Sequence, residues 1–84
     1  MDANALYYCI SKALEDKDVQ LIEIHGLEHV FSLTPNKVAY VSIQQGAVLI
    51  TKTPKQLING QASITQLMIN PNQIVYVTII KQGG

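Results

Sequence analysis

Leu33-Thr34-Pro35-Asn36-Lys37-Val38-Ala39-Tyr40-Val41-Ser42-Ile43 returns 36 residues later as Ile69-Asn70-Pro71-Asn72-Gln73-Ile74-Val75-Tyr76-Val77-Thr78-Ile79. Pro, Asn, Tyr, Val and the final Ile are identical in the two copies, and the other six positions keep shape or polarity. Proline presets φ in each turn, and the residues after it are rich in β-branched and aromatic side chains. Each copy therefore reads as a strand, a turn and a strand. Such a unit presents an apolar face that another copy can cover.

Outward from the repeat, the rest of the 84-residue chain falls into one domain, residues 1–84. Ala3, Leu6, Tyr7, Ile10, Ala13 and Leu14 recur at helical spacing, with Asp2 as N-cap, so residues 1–17 form a helical segment. Residues 18–81 are β-patterned: strands over Val19–His25, Leu27–Leu33, Val38–Ile43, Ala47–Thr51, Ala62–Ile69 and Ile74–Ile80. Gln44-Gln45-Gly46 is a tight turn. Thr53-Pro54-Lys55-Gln56 has the form of a helix start, which predicts a short helix near 54–59 stopped by Asn59-Gly60. Residues 82–84 are a tail. The expected fold is α+β, mainly β: an N-terminal helix and about six short antiparallel strands forming a small barrel or strongly bent sheet.

Residues 56–80 contain no charged side chain. Lysines and acids are what usually protect a strand edge, so these strands need cover. Barrel closure together with homo-oligomerisation is expected, and either one supplies the strand that the second copy of the repeat lacks.

The zero net charge conceals an asymmetry. The first 28 residues hold all six acids against Lys12 and Lys17, while the remaining 56 hold Lys37, Lys52, Lys55 and Lys81 and no acid. This split suits an anionic partner or head-to-tail contact between subunits. Arginine is absent, which weakens readings based on bidentate phosphate or guanine contacts. The single Cys9 excludes an internal disulfide and a cysteine-based metal cluster. No apolar run reaches the roughly 18 residues of a membrane span, and Met1-Asp2-Ala3-Asn4 lacks the basic start of a signal peptide. A cytoplasmic setting with no membrane partner is expected.

His25-Gly26-Leu27-Glu28-His29 matches H-x-x-E-H, but a zinc site of that kind needs a helix and a further acid downstream. Here β patterning flanks the motif and no later acid exists, so no metal and no cofactor are expected. Cys9 has no base at a telling spacing, and no G-x-S-x-G or phosphate-binding glycine loop is present. The chain reads as non-enzymatic. Asn36, Lys37, Asn72 and Gln73 occupy equivalent turn tips, and Asn70 opens the second turn; these are the first places to look for polar binding. Tyr40 and Tyr76 are equivalent repeat positions, able to stack bases if they share a sheet. The competing account, that both fill one slot in related strand packings, carries more weight.

Leu67-Met68-Ile69-Asn70-Pro71-Asn72-Gln73-Ile74-Val75-Tyr76-Val77, with the helix and short strands before it, resembles the Sm-like small β-barrel proteins. Their second motif sets an apolar strand, a short polar turn and an I-x-Y-V-like strand in this order. The family's turn carries Arg-Gly where this chain has Asn70-Pro71. The resemblance implies a ring of subunits joined strand to strand, with single-stranded RNA at the loop tips. The ending, from Asn72 through Ile80 to Gly83-Gly84, is similar to the last strand and tail of ubiquitin-like sulfur carriers, whose terminal carboxylate is activated. Those proteins begin with a β-hairpin, whereas this chain begins with a helix. The leading expectation is a non-catalytic protein that self-associates through β-strands and binds a protein or other macromolecule; the alternatives are an Sm-like RNA-binding oligomer and a sulfur carrier.

Overall fold

The computed structural model describes residues 1–83. Helix α1 spans Ala3–Glu15, and the Asp2 carboxylate accepts the Ala5 N–H at 2.7 Å. That bond satisfies one of the orphan donors of the first turn. Leu6, Ile10 and Ala13 are buried, and the helix lies against β1, β3 and β4.

Eight strands follow: β1 Val19–Gly26, β2 Val30–Leu33, β3 Val38–Gln44, β4 Ala47–Lys52, β5 Lys55–Gln56, β6 Ala62–Ser63, β7 Gln66–Ile69 and β8 Ile74–Lys81. All pairings are antiparallel. One sheet has the order β2-β1-β8, a second β3-β4-β7, and β5-β6 form a small third. The fold is mainly β α+β, as its patterning implies, with two more strands than the six expected.

One extra strand, β5, replaces the predicted helix, and the other arises because the predicted strand Ala62–Ile69 is broken at residues 64–65 into β6 and β7. The predicted helix near 54–59 does not form; β5 and β6 make a hairpin there. The Leu57 N–H donates to the Gln61 carbonyl at 2.8 Å, Gly60 takes φ +83, and the Asn59 side chain accepts the Gln61 N–H. One helical turn repays little of its nucleation cost, whereas a glycine able to adopt positive φ closes a hairpin at once. Leu27, expected at the head of β2, lies outside the strand and is exposed.

The sheets do not close into a barrel. Pro35–Lys37 and Pro71–Gln73 are single 3-10 turns, and each carries the chain from one three-stranded sheet to the other. Each proline opens its turn with φ preset for the 3-10 conformation. The partner that the second copy lacks is supplied within the chain, because β8 pairs with β1.

The duplication is larger than eleven residues. Ile22 faces Leu33 across β1–β2, and Val48 faces Ile69 across β4–β7 in the same way. Ile24 with Phe31 matches Ile50 with Leu67. His25 opposite Tyr76 matches Thr51 opposite Tyr40, and both pairings carry a register shift at the adjacent residue. Turn bonds repeat as well: Leu27 N–H to the Gln73 carbonyl (3.0 Å) corresponds to Thr53 N–H to the Lys37 carbonyl (2.9 Å). Gly26 N–H to the His29 carbonyl (2.8 Å) corresponds to Lys52 N–H to the Thr65 carbonyl (2.9 Å). The chain is thus two three-strand units, β1-β2-β3 and β4-β7-β8, each lending its third strand to the other. The β5–β6 hairpin is an insertion in the second unit.

The inward residues of both units form one core around Leu6, Ile10, Ile22, Ile24, Leu33, Val48, Ile50 and Ile69. Burying each such side chain contributes about 1.5–3 kcal/mol before entropy is subtracted. The helix covers this core; on the opposite faces Leu49 and Thr51 of β4 are also buried, while Tyr40, Met68 and Tyr76 stay exposed.

Candidate functional site

The seven residues singled out in the sequence separate into two groups, related by the duplication. Asn36 and Lys37 sit in the first 3-10 turn, with Tyr40 two residues into β3. Asn70, Asn72 and Gln73 belong to the second turn and Tyr76 to β8. Asn70 earns its place structurally, since its side chain accepts the Asn72 N–H at 3.0 Å. Its counterpart Thr34 makes no such bond.

Tyr40 and Tyr76 lie on different sheets, so they do not form a common stacking platform. Both are half-exposed, on the faces away from the core. Tyr76 stacks on His25 with ring centroids 4.1 Å apart and 14° between planes. The His25 Nε2 is enclosed, 3.5 Å from a Glu23 carboxylate oxygen, and has no hydrogen-bond partner. Tyr40 instead faces Thr51, whose buried hydroxyl accepts from the Gln66 amide at 3.2 Å. The H-x-x-E-H residues diverge: His25 is held by Tyr76, while His29 lies beside Phe31 with centroids 6.4 Å apart. Cys9 lines a surface hollow with Tyr8, Lys12 and Ile79, and neither histidine borders it.

Each turn group borders a recess. Beside the second turn, Asn70 and Gln73 join Gly26, Glu28, His29 and Phe31 around a cavity of about 120 Å³. Beside the first turn, Asn36 and Lys37 join Lys52, Thr53, Lys55 and Thr65 around one of about 480 Å³. These are corresponding places in the two units. Sequence reasoning did not find Lys52, Lys55, Thr53 or Thr65 as neighbours of Lys37. The acid-free C-terminal part was their only sequence signal, and it gives sign without location.

Away from the recesses, Lys81 lies 3.0 Å from Asp16, and the Asp16 carboxylate accepts the Asp18 N–H at 2.9 Å. The Asp18 bond first, and Lys81 second, hold the Asp16 carboxyl below the ordinary carboxylate value. The Gln82 N–H donates to the Asp18 carbonyl, so β8 ends tied to the helix end. Gly84, the last residue of the diglycine ending, lies outside the described residues. Among the described residues no helix is long and apolar enough to cross a membrane.

Comparison with protein-family models, curated proteins and solved structures finds no match to this chain.

Proposed function

We propose that this chain is a non-catalytic binding protein that self-associates through its strand edges and engages a protein or other macromolecular partner. One observation carries the reading. The terminal strands of the two three-stranded sheets are β2, β8, β3 and β7, and their only charged residue is Lys81, the last of β8. Natural sheet edges usually carry lysines, prolines or inward charges that discourage pairing. Here Met68, Val75, Tyr76, Ile79 and Ile80 on β7 and β8 are all exposed. Continued pairing with a second copy covers them. The non-catalytic part of the reading is supported by the separation of Cys9, His25 and His29 into different surroundings. The unpaired Cys9 suits a reducing, cytoplasmic setting.

Light scattering coupled to size exclusion tests self-association. An oligomer at micromolar concentration is expected, and Met68→Lys with Val75→Lys, both at exposed positions, should shift it towards monomer. A wild-type monomer under those conditions ends the reading.

A second reading is an Sm-like RNA-binding ring. In its favour, residues 67–77 form strand β7, a short polar turn and strand β8, the order that resemblance implies. Binding of a single-stranded RNA oligomer, followed by fluorescence anisotropy, should then weaken steeply with salt. Asn72→Ala and Gln73→Ala at the turn tip should reduce it. Absence of binding at low salt removes the RNA reading and leaves self-association standing.

A further inference from the structure

We propose that the recess beside the first 3-10 turn is a phosphoryl-binding site, in which Lys37, Lys52 and Lys55 hold the phosphate oxygens of a small phosphorylated molecule or of a polynucleotide backbone. Three of the chain's six lysines converge there from three elements: the turn, the end of β4, and β5. Asn36, Thr53, Ser63 and Thr65 add amide and hydroxyl groups to the same walls. None of the three lysines is ion-paired among the described residues, whose ion pairs engage Lys12, His25 and Lys81. The sequence also holds no acid after Glu28. Three lysines and no acid line the recess, so its walls carry a positive charge that attracts an anion.

The duplication supplies an internal control. The corresponding recess of the other unit is built on the same strand pairing and the same turn hydrogen bonds. There Gln73 stands for Lys37, Gly26 for Lys52, Leu27 for Thr53 and His29 for Thr65. Since the scaffold forms with those residues, folding does not demand the lysines. The cations and hydroxyls are a property of one recess alone.

The ligand class follows from the donors. Lysine ammonium groups are compact point charges with three rotatable donors that bind phosphate oxygens singly, and with no arginine in the chain the recess offers such point charges rather than a bidentate fork. A volume of about 480 Å³ lies within the range of small-molecule sites and admits a nucleotide-sized ligand. The site does not depend on strand-edge association, because a single chain carries all of it.

Inorganic pyrophosphate is the first probe, titrated into the intact protein and followed by amide chemical shifts and calorimetry. Saturable binding is expected, with shifts at Lys37, Thr53, Lys55 and Thr65 and little change at Gly26 and His29. Lys37→Gln and Lys55→Gln should each weaken it about tenfold, the loss of one charge-assisted hydrogen bond. Lys37→Gln copies the residue of the related recess, and Lys55 is exposed on a short hairpin, so neither substitution threatens folding. Lys17→Gln, at the helix end, removes the same charge elsewhere and should leave binding unchanged. A single-stranded oligonucleotide that displaces pyrophosphate identifies a polynucleotide backbone as the source of the phosphate. Displacement by a nucleoside diphosphate but not by the oligonucleotide identifies a small molecule. Absence of saturable pyrophosphate binding overturns the proposal, and so does equal weakening by Lys17→Gln.

Discussion

Gly26 shows how narrowly one residue can be constrained in this fold. A Cβ built there would stand 3.1 Å from the His29 carbonyl oxygen and 3.2 Å from that of Gln73. Both are backbone atoms already engaged: the His29 carbonyl accepts the Gly26 N–H in the turn from β1 to β2, and the Gln73 carbonyl of the second 3-10 turn accepts the Leu27 N–H. Gly26→Ala should therefore destabilise the protein by about 1–3 kcal/mol, the usual cost of crowding a packed site. Urea denaturation gives the number, and an unchanged midpoint would show that the turn yields freely. Lys52 holds the corresponding place in the second unit, where a wider recess accommodates a side chain. Asp16 offers a residue-scale pH effect. Its folded-state pKa is depressed below the ordinary 3.8 by the Asp18 N–H and by Lys81. A depressed carboxyl stabilises the fold above its unfolded value, and that contribution is lost as pH falls through the folded one. Wild type should exceed Asp16→Asn in stability at neutral pH, with the gap closing in acid below pH 3.8. Thermal melts of both proteins across that range measure the difference, and a gap independent of pH would contradict it.

At the scale of elements, the insertion of β5 and β6 into the second unit has a measurable length. Ile22 and Val48 correspond across 26 residues, but Leu33 and Ile69 across 36, and the difference of ten falls in residues 53–65. Residues 54–65 are all exposed, and none joins the core. Removing residues 54–63 leaves Lys52-Thr53-Ile64-Thr65 to form the turn that Gly26-Leu27-Glu28-His29 forms in the first unit. The shortened protein should unfold cooperatively, with a circular-dichroism spectrum that keeps the helix and the two main sheets. It should also lose pyrophosphate binding, because Lys55 and Ser63 leave the recess. Failure of the shortened chain to fold would show that the hairpin supports the core despite its exposure.

For the whole molecule, two features point outward. The principal extents are 41 × 38 × 22 Å and the radius of gyration is 13.4 Å, against about 12 Å expected for a compact chain of this length. A flat molecule of this kind has a large surface for its core, and small cores leave little stability to spare. The self-association proposed for the uncharged edges would feed into folding, because whatever binds only the native state stabilises it. The melting temperature should rise with protein concentration. It should become independent of concentration in the Met68→Lys, Val75→Lys variant. A wild-type melting temperature that stays constant over a hundredfold range of concentration would rule out edge association as a source of stability.

By itself the sequence determined the helix, the main strands and the duplication. Those signals are local: the helical spacing of Leu6, Ile10 and Ala13, the Asp2 cap, and Pro35 and Pro71 at matching points of alternating runs. The tertiary structure alone decided what those pieces do together. Thr53-Pro54 opens a hairpin rather than a helix because strand pairing of Lys55–Gln56 with Ala62–Ser63, closed by the Leu57–Gln61 bond and the positive φ of Gly60, outcompetes a single helical turn. Only pairing across the chain revealed that β8 serves β1 while β3 serves β4. The same exchange placed Tyr40 and Tyr76 on different sheets. Of the candidate sites, the turn tips were legible because proline and asparagine write turn geometry into adjacent positions. The meeting of Lys37 with Lys52 and Lys55 was not, since a charge carries no direction until strand pairing decides which neighbours it faces.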